Sequence, residues 1–186
     1  MFLYLFARFI LNPKLLLTDL RSEYGGYLSL IAAILAVSTL TMSNHMVFGS
    51  SGGVVNWILQ SVLCFVLLYL AALLCIPIIH LFAEKSLPGS RISDLMVYSG
   101  FILAPLVLTL PAAFILLLLG RLAKTFYVLF LTAITIKILL DFFAGIRDNY
   151  QITRSRALVV LFAPLCFFIA LPALAACLFF LMARYG

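Results

Sequence analysis

Two charged residues stand in a stretch that should hold none. Lys137 and Asp141 lie inside the apolar run 126–146, and a charge near the bilayer centre costs about 2.5–3.5 kcal/mol on insertion scales. At i and i+4 an ammonium and a carboxylate share one helix face and neutralise each other, although Lys before Asp is the weaker order for such a pair. Two readings follow. In one the pair is a proton relay or a counter-ion for an anionic lipid or solute, on a face turned into a helix bundle. In the other it is structural, an ion pair or a lysine that snorkels towards the interface.

The remaining chemistry-bearing residues form no recognisable machinery. His80 and Glu84 are an i, i+4 pair, but two ligands without a third make no metal site, and no metal is expected. His45 reads as a solvated loop histidine. Cys64, Cys75, Cys166 and Cys177 all fall in apolar stretches without a CxxC pair, which excludes a redox dithiol or zinc knuckle and leaves packing. The chain has no phosphate loop, GxSxG elbow, HExxH helix or Gly-rich dinucleotide turn. No catalytic residue and no cofactor are assigned, and an enzyme is not expected.

The elements that must position these residues follow from composition. The 186 residues are 66% hydrophobic and 10% charged, with mean hydropathy +1.27, whereas soluble domains run about 45–50% apolar and about 25% charged. The bilayer is the solvent. An all-α, multi-pass helical bundle is predicted, with spans at about 27–47, 54–83, 95–119, 126–146 and 157–183, since each needs roughly 20 apolar residues. Residues 1–26 precede them as an interfacial segment. Its apolar run 2–11 is too short to cross and lacks the flanks of a signal peptide, so it is expected in the mature protein. Asn12 and Pro13 then open an amphipathic helix with Lys14, Thr18, Arg21 and Ser22 on one face, ended by Gly25-Gly26.

Loop charge orients the bundle. Arg8, Lys14, Arg21, Lys85, Arg91, Arg147, Arg154 and Arg156 fall on one side, and Arg121, Lys124 and Arg184 on the other, so the N-terminus is expected in the cytoplasm and the C-terminus outside. These cations serve as topology signals and lipid contacts, not as a nucleic-acid surface. Tyr27, Trp57, Tyr98, Tyr127 and Tyr185 fall at span ends and read as interfacial anchors. Pro77, Pro105, Pro111, Pro164 and Pro172 lie inside spans and predict kinks or breaks. Small residues, such as Ala170, Ala173 and Ala175-Ala176 around Pro172, allow close helix approach. No span carries GxxxG.

The order of pieces resembles one known family. Asn12-Pro13-Lys14 in a short interfacial start, a polar loop before span three, Tyr98, Gly100, Phe101 and Pro105 at its head, and Arg154-Ser155-Arg156-Ala157 opening span five together resemble the Yip1 domain family. The resemblance covers most of the chain and implies a five-span bundle with a cytoplasmic N-terminus. It also implies homo-oligomers or complexes with other membrane proteins, and Golgi or ER membranes in eukaryotic relatives. Their long N-terminal region linked to small-GTPase contact has no counterpart within residues 1–26, so GTPase binding is not expected to carry over. The compact form is more similar to bacterial inner-membrane relatives. Lys137 and Asp141 match no motif of the family. The expectation is a non-enzymatic membrane protein that organises membrane or partner proteins, the alternative a carrier or channel for a small solute or lipid that uses Lys137 and Asp141.

Overall fold

The computed structural model describes residues 25–49, 53–83 and 92–166, and every regular element among them is helical. Helix α1 covers Gly25–Phe48, α2 Val54–Ala83, α3 Ile92–Phe101, α4 Thr109–Leu117 and α5 Ala123–Tyr150. Residues 154–166 form α6. Short 3-10 turns, Ala104–Leu108 and Gly120–Leu122, join α3 to α4 and α4 to α5. Among the described residues, four segments are long and apolar enough to cross a membrane: Gly25–Phe48, Val54–Ala83, Ile92–Leu117 and Gly120–Tyr150. The predicted interfacial helix, most of span five, Glu84, Cys177, Tyr185, Pro172 and the alanines around it lie outside the described residues.

Several boundaries differ from the sequence reading. Gly25-Gly26 lie in the first turn of α1, and His45 lies inside α1 and not in a loop. Span four runs from the Gly120 turn through Arg147–Tyr150, because α5 continues until Gln151 takes a left-handed backbone (φ 49°) and its N–H caps the Arg147 carbonyl. Lys137 remains near the middle of that longer helix. Pro77 sits within α2 without interrupting it. Pro105 instead marks a real break. The chain turns at Ile102-Leu103 and re-enters as a 3-10 segment with Pro105 in its first turn, where a residue without an N–H costs no helical hydrogen bond.

Helix α1 is the hub, packing against α2, α3, the Ala104–Leu108 turn, α4 and α5. Its inward positions include Ser29, Ala32, Ala33, Ala36, Val37 and Ser43, a stripe of small residues that admits neighbouring backbones closely. The main core joins this stripe to Tyr98, Phe101 and Ala104 of the broken span, to Ile134, Ile146 and Tyr150 of α5, and to Ala157 and Val160 of α6. A smaller cluster of Val47, Ala113 and Tyr127 closes the other end. Helix α2 is the outlier. Only 11% of its most apolar window is buried, and Ile76, Ile79 and Ala83 near its end are the buried positions.

Tyr98 and Tyr127 correct the anchor reading. Both side chains are fully enclosed, because each hydroxyl finds a partner on another helix and the ring can then leave the interface for the core. Tyr27, 73% exposed, keeps the geometry of an interfacial anchor.

Candidate functional site

The intramembrane pair closes on itself. Lys137 Nζ donates to Asp141 Oδ2 at 2.5 Å along one flank of α5, with the side chains 40% and 18% exposed. The carboxylate is thus the more enclosed member, and the ammonium folds back one turn to reach it. Asp141 is also tied inward through its backbone, whose carbonyl accepts the Tyr98 hydroxyl at 2.8 Å. Two cavities bounded by described residues are lined by other side chains. The helical spacing therefore delivers a neutral, satisfied pair, and its attachment to the bundle runs through Tyr98.

The residues at the head of span three meet at one joint. Tyr98, Phe101 and Pro105 are buried, and Gly100 lies against Ser29 of α1. A Cβ added at Gly100 would sit 2.7 Å from the Ser29 carbonyl oxygen, too close for any side chain. Gly145 of α5 plays the matching part beneath Tyr98, whose ring occupies the space a Cβ would take. Ser29 Oγ donates to the Val97 carbonyl at 2.7 Å, so a hydrogen bond reinforces the close α1–α3 crossing. At the same end His80 Nδ1 and the Tyr150 hydroxyl are 2.9 Å apart, joining α2 to α5.

At the opposite end lies a polar cluster that the sequence reading saw only as thinning hydropathy. Ser43 Oγ donates to Thr109 Oγ1 at 3.1 Å, and Thr109 Oγ1 to the Leu106 carbonyl at 2.6 Å. Thr39 Oγ1 also reaches that carbonyl, at 3.3 Å. Hydroxyls thus join the Thr109 N–H on the Leu106 carbonyl beside the broken span, in keeping with the demand that lipid-embedded backbone be fully hydrogen-bonded. Thr41 and Ser61 hydroxyls are 2.6 Å apart, Trp57 Nε1 donates to the Ser38 carbonyl at 3.2 Å, and His45 Nε2 lies 2.6 Å from Gln60 Oε1. Tyr127 donates to Asn44 Oδ1 at 3.0 Å. Outward-facing Thr132 and Thr135 bond only carbonyls of their own helix. The available signal was the run Ser38, Thr39, Thr41, Ser43, Asn44, His45 opposite Trp57, Gln60 and Ser61; two polar patches flanking one short turn will face each other if both are helical.

Comparison of the chain with protein-family models, curated proteins and solved structures yields no match. What the site can do must be read from its own geometry. Its polar groups are largely spent on one another: three hydrogen bonds clasp α1 to α2, others hold α1 to the Ala104–Leu108 turn, to α4 and to α5, and Lys137 and Asp141 cancel within one helix. A cleft of about 380 Å³ beside His45, lined by Asn44, Phe48, Gln60 and Leu131, is bordered by the same clasp. The observed chemistry is that of helix association in an apolar medium.

Proposed function

We propose that this chain is a non-enzymatic, five-span membrane protein that organises membrane or partner proteins, with α2 as its association surface. The observation that carries this reading is α2 itself: a largely apolar helix of 30 residues, clasped to α1 at its start and packed at its end, with most of its length unpartnered. Such a face costs nothing in lipid and is available to another helix, whose association would come from side-chain packing. The Yip1-like layout rests on the sequence resemblance at Tyr98, Gly100, Phe101 and Pro105. The self-neutralised Lys137–Asp141 pair favours this reading over a carrier.

Gentle extraction from the native membrane followed by native mass spectrometry is expected to give a fixed homo-oligomer or a stoichiometric complex with another membrane protein. A bare monomer under all mild conditions, with no membrane complex altered by deletion, would sink the proposal. The finer topology, N-terminus cytoplasmic and C-terminus outside, rests on the loop cations, and placement in a bacterial inner membrane rests on the resemblance to compact Yip1-like proteins. Reporters fused after Gly186 and inserted near Pro88 are expected on opposite sides of the membrane. Finding both on one side would refute the five-span arrangement while leaving the association question open to its own experiment.

A further inference from the structure

A groove of about 510 Å³ separates α2 from α1 and α3, running from the first turn of α1 at Gly26 to the middle of α2. It exists because α2 is held near both ends and stands away between them. Above, Trp57 and Ser61 engage α1; below, Ile76 and Ile79 enter the core. The α2 wall of the groove is a pair of stacked rings, Phe65 and Tyr69, with centroids 6.2 Å apart and planes 16° from parallel. Met96 and Val97 of α3 form its back.

The lining is apolar in practice as well as in composition. Ser29 and Ser99 donate to the Val97 and Met96 carbonyls, both at 2.7 Å, and Ser93 bonds Asp94 at 3.4 Å. These serine hydroxyls serve the fold, and the Tyr27 and Tyr69 phenols are the other polar side-chain groups of an otherwise apolar lining. Its mouth is edged by Leu30 of α1 and Leu68 and Tyr69 of α2, all exposed. They belong to the same lipid-facing surface as Ile34 and Leu35 of α1 and Leu67 and Leu70 of α2. The groove is therefore continuous with the surface that meets hydrocarbon. A void there forfeits the dispersion contacts of both walls, and a flexible alkyl chain recovers them without desolvating anything.

We propose that this groove is a lipid site that takes one acyl chain of a phospholipid from the leaflet bordering the N-terminal end of α1. The inference rests on the membrane-spanning reading and goes beyond the organising role. It would make α2 a helix whose spacing from α1 depends on the lipid present.

The test places the full-length protein in nanodiscs of a phosphatidylcholine carrying a mid-chain diazirine, irradiates them and maps adducts by mass spectrometry. Adducts are expected on Met96 and Val97 as well as on outward-facing Leu63 and Leu74 of α2. Ala72→Trp, which fills the groove, and Leu30→Trp, which narrows only its exposed mouth, are each expected to lower the Met96 and Val97 adducts by about fivefold or more, the factor carried by about 1 kcal/mol. The Leu63 and Leu74 adducts should hold. Because Leu30 lies at the surface, its variant keeps the test valid should Ala72→Trp misfold. Labelling confined to the outward positions overturns the proposal, as does groove labelling that both variants leave unchanged. Labelling of Met96 and Val97 that emerges only after residues 1–24 are deleted would also overturn it, by showing that the chain's own N-terminal segment fills the groove. Failure to enter nanodiscs at all would refute the membrane reading itself and is recognisable separately.

Discussion

Asp141→Leu is expected to destabilise the protein by about 2.5–3.5 kcal/mol, the cost of a central intramembrane charge left without its partner. In the native structure Lys137 is neutralised at one-turn distance, and removing the carboxylate orphans the ammonium without removing its desolvation cost. Lys137→Met should hurt less, because the remaining carboxylate of Asp141 can take up a proton and become neutral. The informative variant is the double. Lys137→Met with Asp141→Leu leaves two apolar side chains on one flank of a largely apolar helix, and its stability should return to the native value or exceed it. Unfolding measured in bicelles or by steric trapping would give the coupling between the two sites, expected to be about 2 kcal/mol or more. A double variant as unstable as Asp141→Leu alone would contradict the assignment of the pair as self-compensating. The same set separates the two functional readings. Were Lys137 part of a transport route, reconstituted flux would disappear in the single and the double variant alike, whereas a structural pair predicts that any activity follows stability and is restored in the double.

The second large effect falls on the glycines that let α3 approach its neighbours. Gly145→Leu places a side chain in the volume of the buried Tyr98 ring, and overpacking a close-packed site costs about 1–3 kcal/mol, occasionally more. Expelling the ring also breaks its hydrogen bond to the Asp141 carbonyl, adding about 1 kcal/mol. Gly100→Leu should be equally damaging, but the two obstacles differ in kind. At Gly145 the obstacle is a side chain, so Gly145→Leu combined with Tyr98→Ala should recover much of the loss. At Gly100 the Ser29 hydroxyl stands nearest with the Ser29 backbone behind it, and although the hydroxyl can be trimmed, no substitution in α1 removes the carbonyl. Ser29→Ala or Ser29→Gly is therefore expected to leave the Gly100→Leu defect in place. Thermal denaturation in detergent, read as recovery of the folded fraction, checks both pairs. Rescue of Gly100→Leu by trimming Ser29 would mean that its hydroxyl, not the backbone, sets the crossing distance.

These two effects also mark how far the sequence alone reaches. The Lys137–Asp141 contact was legible because helical geometry places residues four apart on one face whatever surrounds them. The meeting of Tyr98 with Gly145 was not, because nothing local relates α3 to the far half of α5. Hydropathy placed the four candidate spans to within a few residues at most of their ends, yet it treated Ser38 to Ser43 as a weaker part of span one, when the hydroxyls of Thr39, Thr41 and Ser43 bind the broken segment, α2 and α4. A scale that averages polarity along the chain cannot register that two polar patches are complementary. Pro105 and Pro77 show the same limit. Both were expected to perturb their helices, but only Pro105 lies at a break, where hydroxyls of Thr39 and Thr109 reach the Leu106 carbonyl beside it.

Composition by itself determined that this chain needs a bilayer and must be helical there, since a backbone in hydrocarbon has to satisfy its hydrogen bonds within each segment. The i, i+4 spacing likewise determined that Lys137 and Asp141 of α5 would find each other. Only the tertiary structure decided which face of each helix turns inward, because in lipid the inside and the outside are both apolar and no amphipathic pattern separates them. Side-chain size makes that choice here. Small residues draw α1 into the centre of the bundle, glycines bring α3 against α1 and α5, and bulky α2 is left at the edge with a groove behind it.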